Sequence, residues 1–531
     1  MNLSLALVNP SAPDVNFGIL LPELILAVTG VVVMLVDAFT RRTAQRWVTG
    51  ALSLLGLGAA TASVLWLWGG ADRQVSGSAW DGMVVLDPLR LSFTLVFIAV
   101  AALTVLVSMI WVEWEGLPAG EFHTLLLFAT VGMMLMAAGN DLVMLFLGLE
   151  ILSIATYVMA GFRRSDVRSN ESSLKYFILG SFSSAFLLFG IALIYGATAK
   201  AIPGGFKAGT TNLSAIAECL DDSLYPPLLF AGAAMLLIGF GFKVALAPFH
   251  VWTPDVYEGA PTPVTAFMAA GPKAAGFAAF MRTFLFAFPL AAAAASSKTA
   301  TGAQLHSAWL DALWLLAVLT MSVGNVVALV QSNVKRMLAY SSIAHAGYAL
   351  VGFVAAGAAP DPTQRDNAVA AVVFYLLAYA VMNLGAFAVV TLIARSGDRR
   401  TDVEDYRGIG FQSPALSLSL SLFLLSLIGV PLTAGFMGKV VVFSEALTQG
   451  YKWLVIIGVL NSAVSVYYYL RLIVVMFFRE RTTQWHSPRI PASVALALVL
   501  TVGGVLYLGL FPGRVIDAFR AAQWNVVSSL R

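Results

Sequence analysis

The sequence has little charge and almost no cysteine. Only 11% of its 531 residues are Asp, Glu, Lys or Arg, whereas about a quarter of a soluble domain is charged. Cys219 is the single cysteine, so the chain can form no internal disulfide and has no thiolate set for an iron–sulfur cluster or structural zinc. Its histidines are widely separated, without the spacing of metal ligands: His123, His250, His306, His345 and His486.

Other signatures are also missing. No glycine-rich phosphate loop follows a strand-like segment, and no strand-like alternation offers a place for one. The net charge is +3 without a dense basic tail, which gives no sign of a nucleic-acid partner. The N-terminus has no basic region followed by a small-residue cleavage site, so we expect a retained segment rather than a signal peptide. We therefore expect no metal, nucleotide or redox cofactor to bind to this chain.

The sequence is rich in long hydrophobic runs. Hydrophobic residues make up 59% of the chain, and they fall in runs of about 20, the length that crosses a bilayer as a helix. This pattern predicts an all-α polytopic membrane protein with about fourteen transmembrane helices. The predicted spans are 17–39, 47–68, 89–112, 122–138, 142–162, 172–195, 227–247, 262–288, 310–330, 337–356, 368–394, 416–447, 453–478 and 493–511.

Basic residues fall in alternate loops, which the positive-inside rule places in the cytoplasm. Both termini are then expected on the outer side, in a bacterial inner membrane. The acidic loop 113–123 and the C-terminal Arg514, Arg520 and Arg531 fit this orientation poorly, and the tail is expected as an amphipathic interfacial helix. The basic loop residues are Arg41, Arg42, Arg46, Arg163, Arg164, Arg168, Lys335, Arg336, Arg395, Arg399, Arg400, Arg479 and Arg481.

The spans also suggest an internal repeat. The seventh and twelfth spans each carry a lysine near a Pro/Gly interruption, and each belongs to a set of five spans. Because five is odd, the two sets would be inverted in the membrane, as in many transporters. The predicted units are an N-terminal three-helix segment (1–120), two five-helix repeats (121–290 and 308–480) and a C-terminal helix with its tail (490–531). The match is imperfect, since Lys243 precedes its break at Pro248 whereas Lys439 follows Pro431.

Four ionisable residues inside apolar spans are the main candidates for chemistry, because charge at membrane depth is costly and is usually functional. Glu150 lies mid-span, and Lys243 is its natural partner; a Glu–Lys pair whose separation changes would load or release a proton. Lys273 is central in a span of small residues, and Lys439 is similar but off-centre. Lysine can lose its proton, whereas arginine cannot. The competing interpretations are a structural ion pair for Glu150 and snorkelling to the interface for the lysines.

Weaker candidates surround these four. His250 and His345 could pass protons between the lysines, although histidines in helical cores are more often merely hydrogen-bonded. Lys175 lies near a predicted helix start, where it could equally cap the helix or anchor it at the membrane interface. Asp255 and Glu258, in the turn after the seventh span, are expected to be solvated caps or an entrance vestibule.

Three segments carry a family resemblance: GFGFKVALAPFHVWTPDVYEGAPTPVTAF, SNVKRMLAYSSIAHAGYALVG and GVPLTAGFMGKVVVF. Together they resemble the subunit N family of the proton-translocating NADH:quinone oxidoreductase (respiratory complex I), one of three antiporter-like subunit families. The resemblance covers essentially the whole chain. It implies fourteen helices in two inverted repeats with the seventh and twelfth helices broken. A lysine at position 439 and the absence of a long C-terminal extension favour subunit N over its two relatives.

The resemblance also implies a hydrated axis for proton transfer. Its main members would be Glu150, Lys243, Lys273 and Lys439. His250, Lys335, His345 and, at the edge, Lys175 are candidate connectors along the axis.

NADH, FMN, the iron–sulfur clusters and quinone would lie in other subunits, and the other antiporter-like membrane subunits would be partners within the lipid bilayer. The implied function is proton pumping coupled to NADH oxidation and quinone reduction elsewhere. Two alternatives remain: a subunit of a multisubunit cation/proton antiporter, and a purely structural scaffold.

Overall fold

The computed structural model describes residues 16–40, 45–71, 77–202, 205–220, 225–288, 300–481 and 489–521. Over these residues the chain is almost entirely helical, which confirms the all-α membrane class. The helices are α1 (Leu21–Phe39), α2 (Gln45–Ala71), α3 (Pro88–Trp114), α4 (Ala119–Ala138), α5 (Leu142–Ala160), α6 (Val167–Ala197), α7 (Leu213–Cys219), α8 (Pro226–Lys243), α9 (Thr253–Gly259), α10 (Thr262–Arg282), α11 (Ala300–Ala328), α12 (Val334–Ala358), α13 (Pro362–Ala394), α14 (Pro414–Ile428), α15 (Ala434–Thr448), α16 (Lys452–Phe478), α17 (Ala492–Leu510) and α18 (Pro512–Ala521).

Thirteen of the described helices are long and apolar enough to cross a membrane. One of these spans consists of α10 and the π-helical turn Thr283–Ala287 that continues it. The shorter α14 and α15 are the two halves of the predicted twelfth span, separated at Gly429, whose φ of 92° ends α14. The division into repeats at 121–290 and 308–480 remains a prediction. The predicted residues Arg41, Arg42, His486 and Arg531 lie outside the described part of the chain.

Several helix boundaries differ from those predicted by hydropathy. Helix α6 begins at Val167, because the Asp166 side chain caps it by accepting a hydrogen bond from the Arg168 amide. Helix α11 begins at Ala300 rather than at 310. In both cases residues that are less apolar than the predicted span extend the helix at its N-terminal end.

Two small β-hairpins were not predicted. Strand β1 (Gly77–Ala79) pairs antiparallel with β2 (Val84–Leu86), and β3 (Lys200–Ile202) with β4 (Gly205–Lys207). Strands of three residues are too short for an alternating pattern to be recognised in the sequence.

The break in the seventh span also comes earlier than predicted. Helix α8 ends at Lys243, five residues before Pro248, because Ala245 adopts a φ of 61°. The Leu246 amide then donates to the Gly241 carbonyl at 2.8 Å, which closes a Schellman-type cap. The left-handed residue, rather than the proline, therefore ends the helix.

Three helices form the centre of the bundle. In the most apolar 18-residue stretch of each helix, all residues of α10 are buried, as are 94% of those in α12 and 89% of those in α13. The outer helices, such as α1, α6 and α16, bury only about a third of theirs and expose apolar faces, as expected for surfaces that meet lipid or neighbouring subunits. The central helices are rich in small residues, and they bury polar side chains that include Lys273 and His345.

The arginine-rich loops meet at one end of the bundle, which we call the basic face. It holds the loops that follow α5, α11, α13 and α16, and contacts such as that between Arg163 and Asp398 join them. The C-terminal α18 is a helix, as expected, and it buries Ile516 and Phe519. Its place in the bilayer interface stays a prediction.

Glycines allow two helix pairs, α11 with α12 and α4 with α5, to pack closely. A Cβ added at Gly324 of α11 would lie 2.5 Å from the Ala344 amide nitrogen of α12, and one at Gly347 would lie 2.7 Å from that of Met321. Helices α4 and α5 meet in the same way at Gly132. Small residues at such crossings let two backbones approach closely, which is how helices pack in membranes without a hydrophobic driving force.

We predict that Gly324→Ala destabilises the full-length chain by about 1–3 kcal/mol, since its methyl group would meet backbone atoms that cannot turn aside. The measurement is the free energy of unfolding, or the thermal midpoint, in one mild detergent. Gly503→Ala is the matched control, because a Cβ at Gly503 meets nothing within 4 Å. Equal stability of the two variants would contradict the packing described here.

Candidate functional site

Lys243 is buried at the end of α8, between three other helices. Its Nζ donates to Ser153 Oγ of α5 at 2.9 Å and lies 5.8 Å from the centre of the Tyr176 ring of α6. On the remaining side, a Cβ added at Gly276 of α10 would lie 3.4 Å from Lys243 Cγ. The side chain is therefore enclosed within the bundle and does not snorkel to the surface.

Glu150 and Lys243 approach each other through serine hydroxyls. Glu150 is half-buried on α5, one turn before Ser153, and accepts a hydrogen bond from Ser184 of α6 at 2.5 Å. A cavity of about 10 Å³ is lined by Ser153, Ser184, Tyr157 and Lys243. That volume is close to the minimum that holds one water molecule. The cavity thus brings Lys243 together with Ser184, the hydroxyl that donates to Glu150.

Lys273 lies deeper in the bundle, one turn along α10 from the glycine that contacts Lys243. It is buried, and its Nζ donates to both oxygens of Ser342 on α12: the carbonyl at 2.6 Å and the hydroxyl at 2.5 Å. Lys243 of α8 and Lys273 of α10 therefore lie at neighbouring turns of α10, one facing Gly276 and the other a member of the helix.

His345 continues the polar groups along α12, one turn beyond Ser342. Its Nδ1 shares a hydrogen bond of 2.6 Å with the Tyr375 hydroxyl of α13. One turn further, the hydroxyl of Tyr348 accepts from Asn325 at 3.0 Å, and its ring lies 4.9 Å from the Nζ of Lys439. Helix α12 thus carries a row of polar side chains from Lys273 to Lys439.

Lys439 is held by the break between α14 and α15. Its Nζ donates to the carbonyl oxygens of Ile428 and Leu427 at 2.7 and 3.1 Å, and to Ser462 Oγ of α16 at 2.7 Å. These carbonyls belong to the last turn of α14. No later turn of the helix supplies N–H groups that could donate to them, and the negative end of the helix dipole lies there. The lysine follows the break in sequence, yet its ammonium group lies at the end of the half-helix before it.

Two predicted connectors lie away from this row. His250 lies in the turn after α8, where its Nδ1 is buried and has no hydrogen-bond partner among the described residues, and burial lowers its pKa. Lys175 pairs with Asp255 and with Glu171, each at 2.8 Å, on the basic face. Neither contacts Glu150 or the three buried lysines, so their roles as connectors stay predictions.

Comparisons with known proteins show which family the chain belongs to. The family described as NADH:quinone oxidoreductase/Mrp antiporter, TM, matches residues 139–465. NADH-quinone oxidoreductase subunit N of Trichlorobacter lovleyi is 46% identical over 505 residues, which is 95% of this chain and 96% of that protein. The chain belongs to the NADH-quinone oxidoreductase subunit N family.

Solved structures agree with this assignment to the subunit N family. A chain of respiratory complex I from Thermus thermophilus is 36% identical, with a TM-score of 0.75 over 94% of this chain and 100% of that one. A chain of the Mrp complex from Dietzia sp. DQ12-45-1b has a TM-score of 0.77 at 19% identity, over 97% of this chain and 98% of that one. The second likeness concerns the fold alone.

Lys335, another predicted connector, belongs to a buried ion cluster at the basic face of this subunit N homologue. Its Nζ donates to the Ala260 carbonyl at 2.6 Å and to Asp398 at 3.0 Å. Asp398 also accepts from Arg163 at 2.6 Å and from Thr262 at 2.7 Å. One carboxylate therefore joins the ends of α5, α10, α12 and α13.

Asp398 was not a sequence candidate. It follows Gly397 in a loop otherwise rich in arginine, and hydropathy gives no sign that such a loop is buried. Burial alone would raise the pKa of this carboxyl, but the charges of Lys335 and Arg163 hold it below its usual value. Asp398 is therefore ionised at neutral pH, and its contribution to stability is lost only as the pH falls through that lowered pKa. The hydroxyl partners Ser153, Ser184 and Ser462 were also missed, because serine is common in membrane helices.

We predict that Asp398→Asn destabilises the protein by about 3–5 kcal/mol, since two buried cations would lose their carboxylate. The measurement is the thermal or denaturant midpoint of the full chain at neutral pH. Glu404→Gln is the control in the same segment. That glutamate is 55% exposed in its pairs with arginine, so its loss is expected to cost about 0–1 kcal/mol. An Asp398→Asn variant as stable as this control would refute the role of the cluster.

Proposed function

We propose that this chain is a proton-translocating membrane subunit of an NADH:quinone oxidoreductase. The observation that carries the proposal is the hydrogen bonding of three buried lysines. Lys243, Lys273 and Lys439 all donate to hydroxyl or carbonyl oxygens and, within the part of the chain that the structure describes, to no carboxylate. A permanent structural charge at such depth would be expected to pair with an opposite charge.

The buried arginines make the contrast clear. Among the described residues, each buried arginine has a carboxylate partner: Arg90 with Glu23, Arg163 with Asp398, Arg282 with Asp87 and Arg365 with Asp366. Arginine cannot be deprotonated in a protein, so its charge must be balanced. The three lysines need no fixed counter-charge if their ammonium groups are not permanently charged.

Serine hydroxyls suit groups that change protonation. A hydroxyl accepts a hydrogen bond from an ammonium group and can rotate to donate to a neutral amine. Ser153, Ser342 and Ser462 each contact one lysine in this way, and Ser184 contacts Glu150. Both protonation states of each group can therefore be satisfied without moving the helices.

In this proposal, protons pass along Glu150, Lys243, Lys273 and Lys439, with His345 and Tyr375 between the last two lysines. NADH, FMN, iron–sulfur clusters and quinone are bound by partner subunits, and their redox reaction changes the charge state at one end of the row. The other antiporter-like subunits are neighbours in the membrane. The basic face lies in the cytoplasm of a bacterial cell, with both termini on the outer side.

Membership of the complex is tested by purifying the tagged full-length chain in mild detergent. We expect co-purification of subunits with flavin and iron–sulfur absorbance and with NADH:quinone reductase activity. A colourless preparation that oxidises no NADH, from cells whose intact membranes do so, would refute membership.

We predict that Lys243→Met reduces proton pumping to roughly a hundredth of wild type or less, because a proton-transfer group typically contributes 10²-fold or more. The assembled complex is reconstituted in liposomes, and acidification is measured during NADH oxidation. Lys452→Met is the control, since Lys452 is exposed at the start of α16. Normal pumping by an assembled Lys243→Met complex would contradict the proposal, and it would favour the scaffold function.

A second candidate function is cation/proton antiport, which the shared fold with a chain of the Mrp complex favours. It predicts a pH change in vesicles that depends on sodium or potassium and not on NADH. Acidification that requires NADH and is the same in sodium and in choline buffer would exclude it.

A further inference from the structure

Lys439 has an aromatic neighbour in addition to its hydrogen-bond partners. Its Nζ lies over the ring of Tyr348 of α12, 4.9 Å from the ring centre. A positive charge within about 6 Å of a ring centre is attracted by the negative face of the ring. The tyrosine is only 1% exposed, so water screens this attraction little. The contact favours an ammonium group over a neutral amine, because only the ammonium group is charged.

The hydroxyl of Tyr348 is directed to a different helix. It accepts a hydrogen bond from Asn325 Nδ2 of α11 at 3.0 Å, and Asn325 Oδ1 accepts from the Tyr468 hydroxyl of α16 at 3.0 Å. Asn325 and Tyr348 each follow a glycine at the close crossing of α11 and α12: Gly324 and Gly347. The crossing brings the amide to the hydroxyl, and the part of the tyrosine that meets the lysine is its ring.

Packing keeps the ring in this position. The imidazole of His345 lies edge-on to it with ring centres 5.6 Å apart, and the ring of Phe443 lies 6.2 Å away. Phe443 is one turn after Lys439 on α15. Helix α15 therefore carries both the lysine and a side chain that packs against the tyrosine ring.

The other lysine at a helix break has a similar neighbour. The Nζ of Lys243 lies 5.8 Å from the centre of the Tyr176 ring, and this ring stacks on Trp252 with the ring centres 4.6 Å apart. A ring attracts an ammonium group without supplying a full negative charge. It therefore stabilises the charged state less than a buried carboxylate would, and it leaves the lysine able to lose its proton.

We infer that Tyr348 is a positioning residue for Lys439, whose positive charge is stabilised by the face of the tyrosine ring. The inference rests on the proposed function for its effect on pumping, whereas the contact between ring and charge can be measured without it. The ring acts here and the hydroxyl does not, which distinguishes this role from that of a proton carrier.

The contact is tested with phenylalanines that carry no, one, two or three fluorine atoms, incorporated at position 348 of the full-length chain. Fluorine withdraws the negative charge from the ring face with little change in ring size. In mild detergent at mildly acidic pH, where an amine is most readily protonated, we expect the thermal midpoint to fall stepwise. The total fall should be about 2 °C for three fluorines, and it should be absent from the Lys439→Met variant. Equal changes with and without Lys439 would overturn the inference, because they would reflect packing alone.

The effect on function is measured as protons pumped per NADH oxidised by the assembled complex in liposomes. Tyr348→Phe keeps the ring face, and Asn325 Nδ2 keeps the Met321 carbonyl as an acceptor at 2.9 Å, so pumping should stay within about twofold of wild type. Trifluorophenylalanine at position 348 should reduce it about tenfold.

Phe353 of the same helix is the matched control. Its buried ring packs against the rings of Phe280 and Trp309, so trifluorophenylalanine at position 353 should leave pumping unchanged.

The outcomes distinguish this inference from the proposed function. Loss of pumping in Tyr348→Phe would assign the role to the hydroxyl and overturn the inference. Normal pumping with trifluorophenylalanine at position 348 would also overturn it, in a complex whose pumping is abolished by Lys439→Met. Normal pumping by an assembled Lys439→Met complex would contradict the proposed function and, with it, a positioning role for Tyr348.

Discussion

The free-energy cost of an ionised group in a low-dielectric interior governs the arrangement of this molecule. The described structure meets this cost in two ways. Arginines, which remain charged, are buried beside carboxylates, as Arg282 is beside Asp87. Lys243, Lys273 and Lys439 are buried beside neutral oxygens that tolerate either protonation state. In the proposed function, this division separates fixed charges, which hold helices together, from groups whose charge changes.

The broken helices supply part of what the lysines need. A continuous helix satisfies its own carbonyl groups, whereas an interrupted one leaves those of its last turn free. Lys439 bonds to two such carbonyls at the end of α14, and Lys243 belongs to the last turn of α8. In sequence the two lysines fall on opposite sides of their breaks, but both are associated with the C-terminal end of the first half-helix. The two predicted repeats therefore place their lysines alike in space, although the lysines do not align along the chain.

Much of the fold could be predicted from hydrophobic length alone, because a membrane helix needs about 20 apolar residues and charges inside it are rare enough to stand out. Glu150 and the three lysines were found for that reason. Asp398 escaped notice because an aspartate in a basic loop looks solvated until the loop is folded against four helix ends. Ser153 and Ser184 could not be distinguished from other serines without knowing which helices are neighbours, and the left-handed Ala245 has no sequence signal.

The central claim is that Lys243 must be able to lose its proton, and not merely carry charge. Lys243→Arg tests it most directly, because arginine keeps the charge and a similar length but stays protonated. The measurement is proton pumping per NADH oxidised by the assembled complex in liposomes. The account predicts that pumping is lost in this variant although the complex assembles. Pumping close to the wild-type level would show that a fixed positive charge is sufficient, and would contradict it.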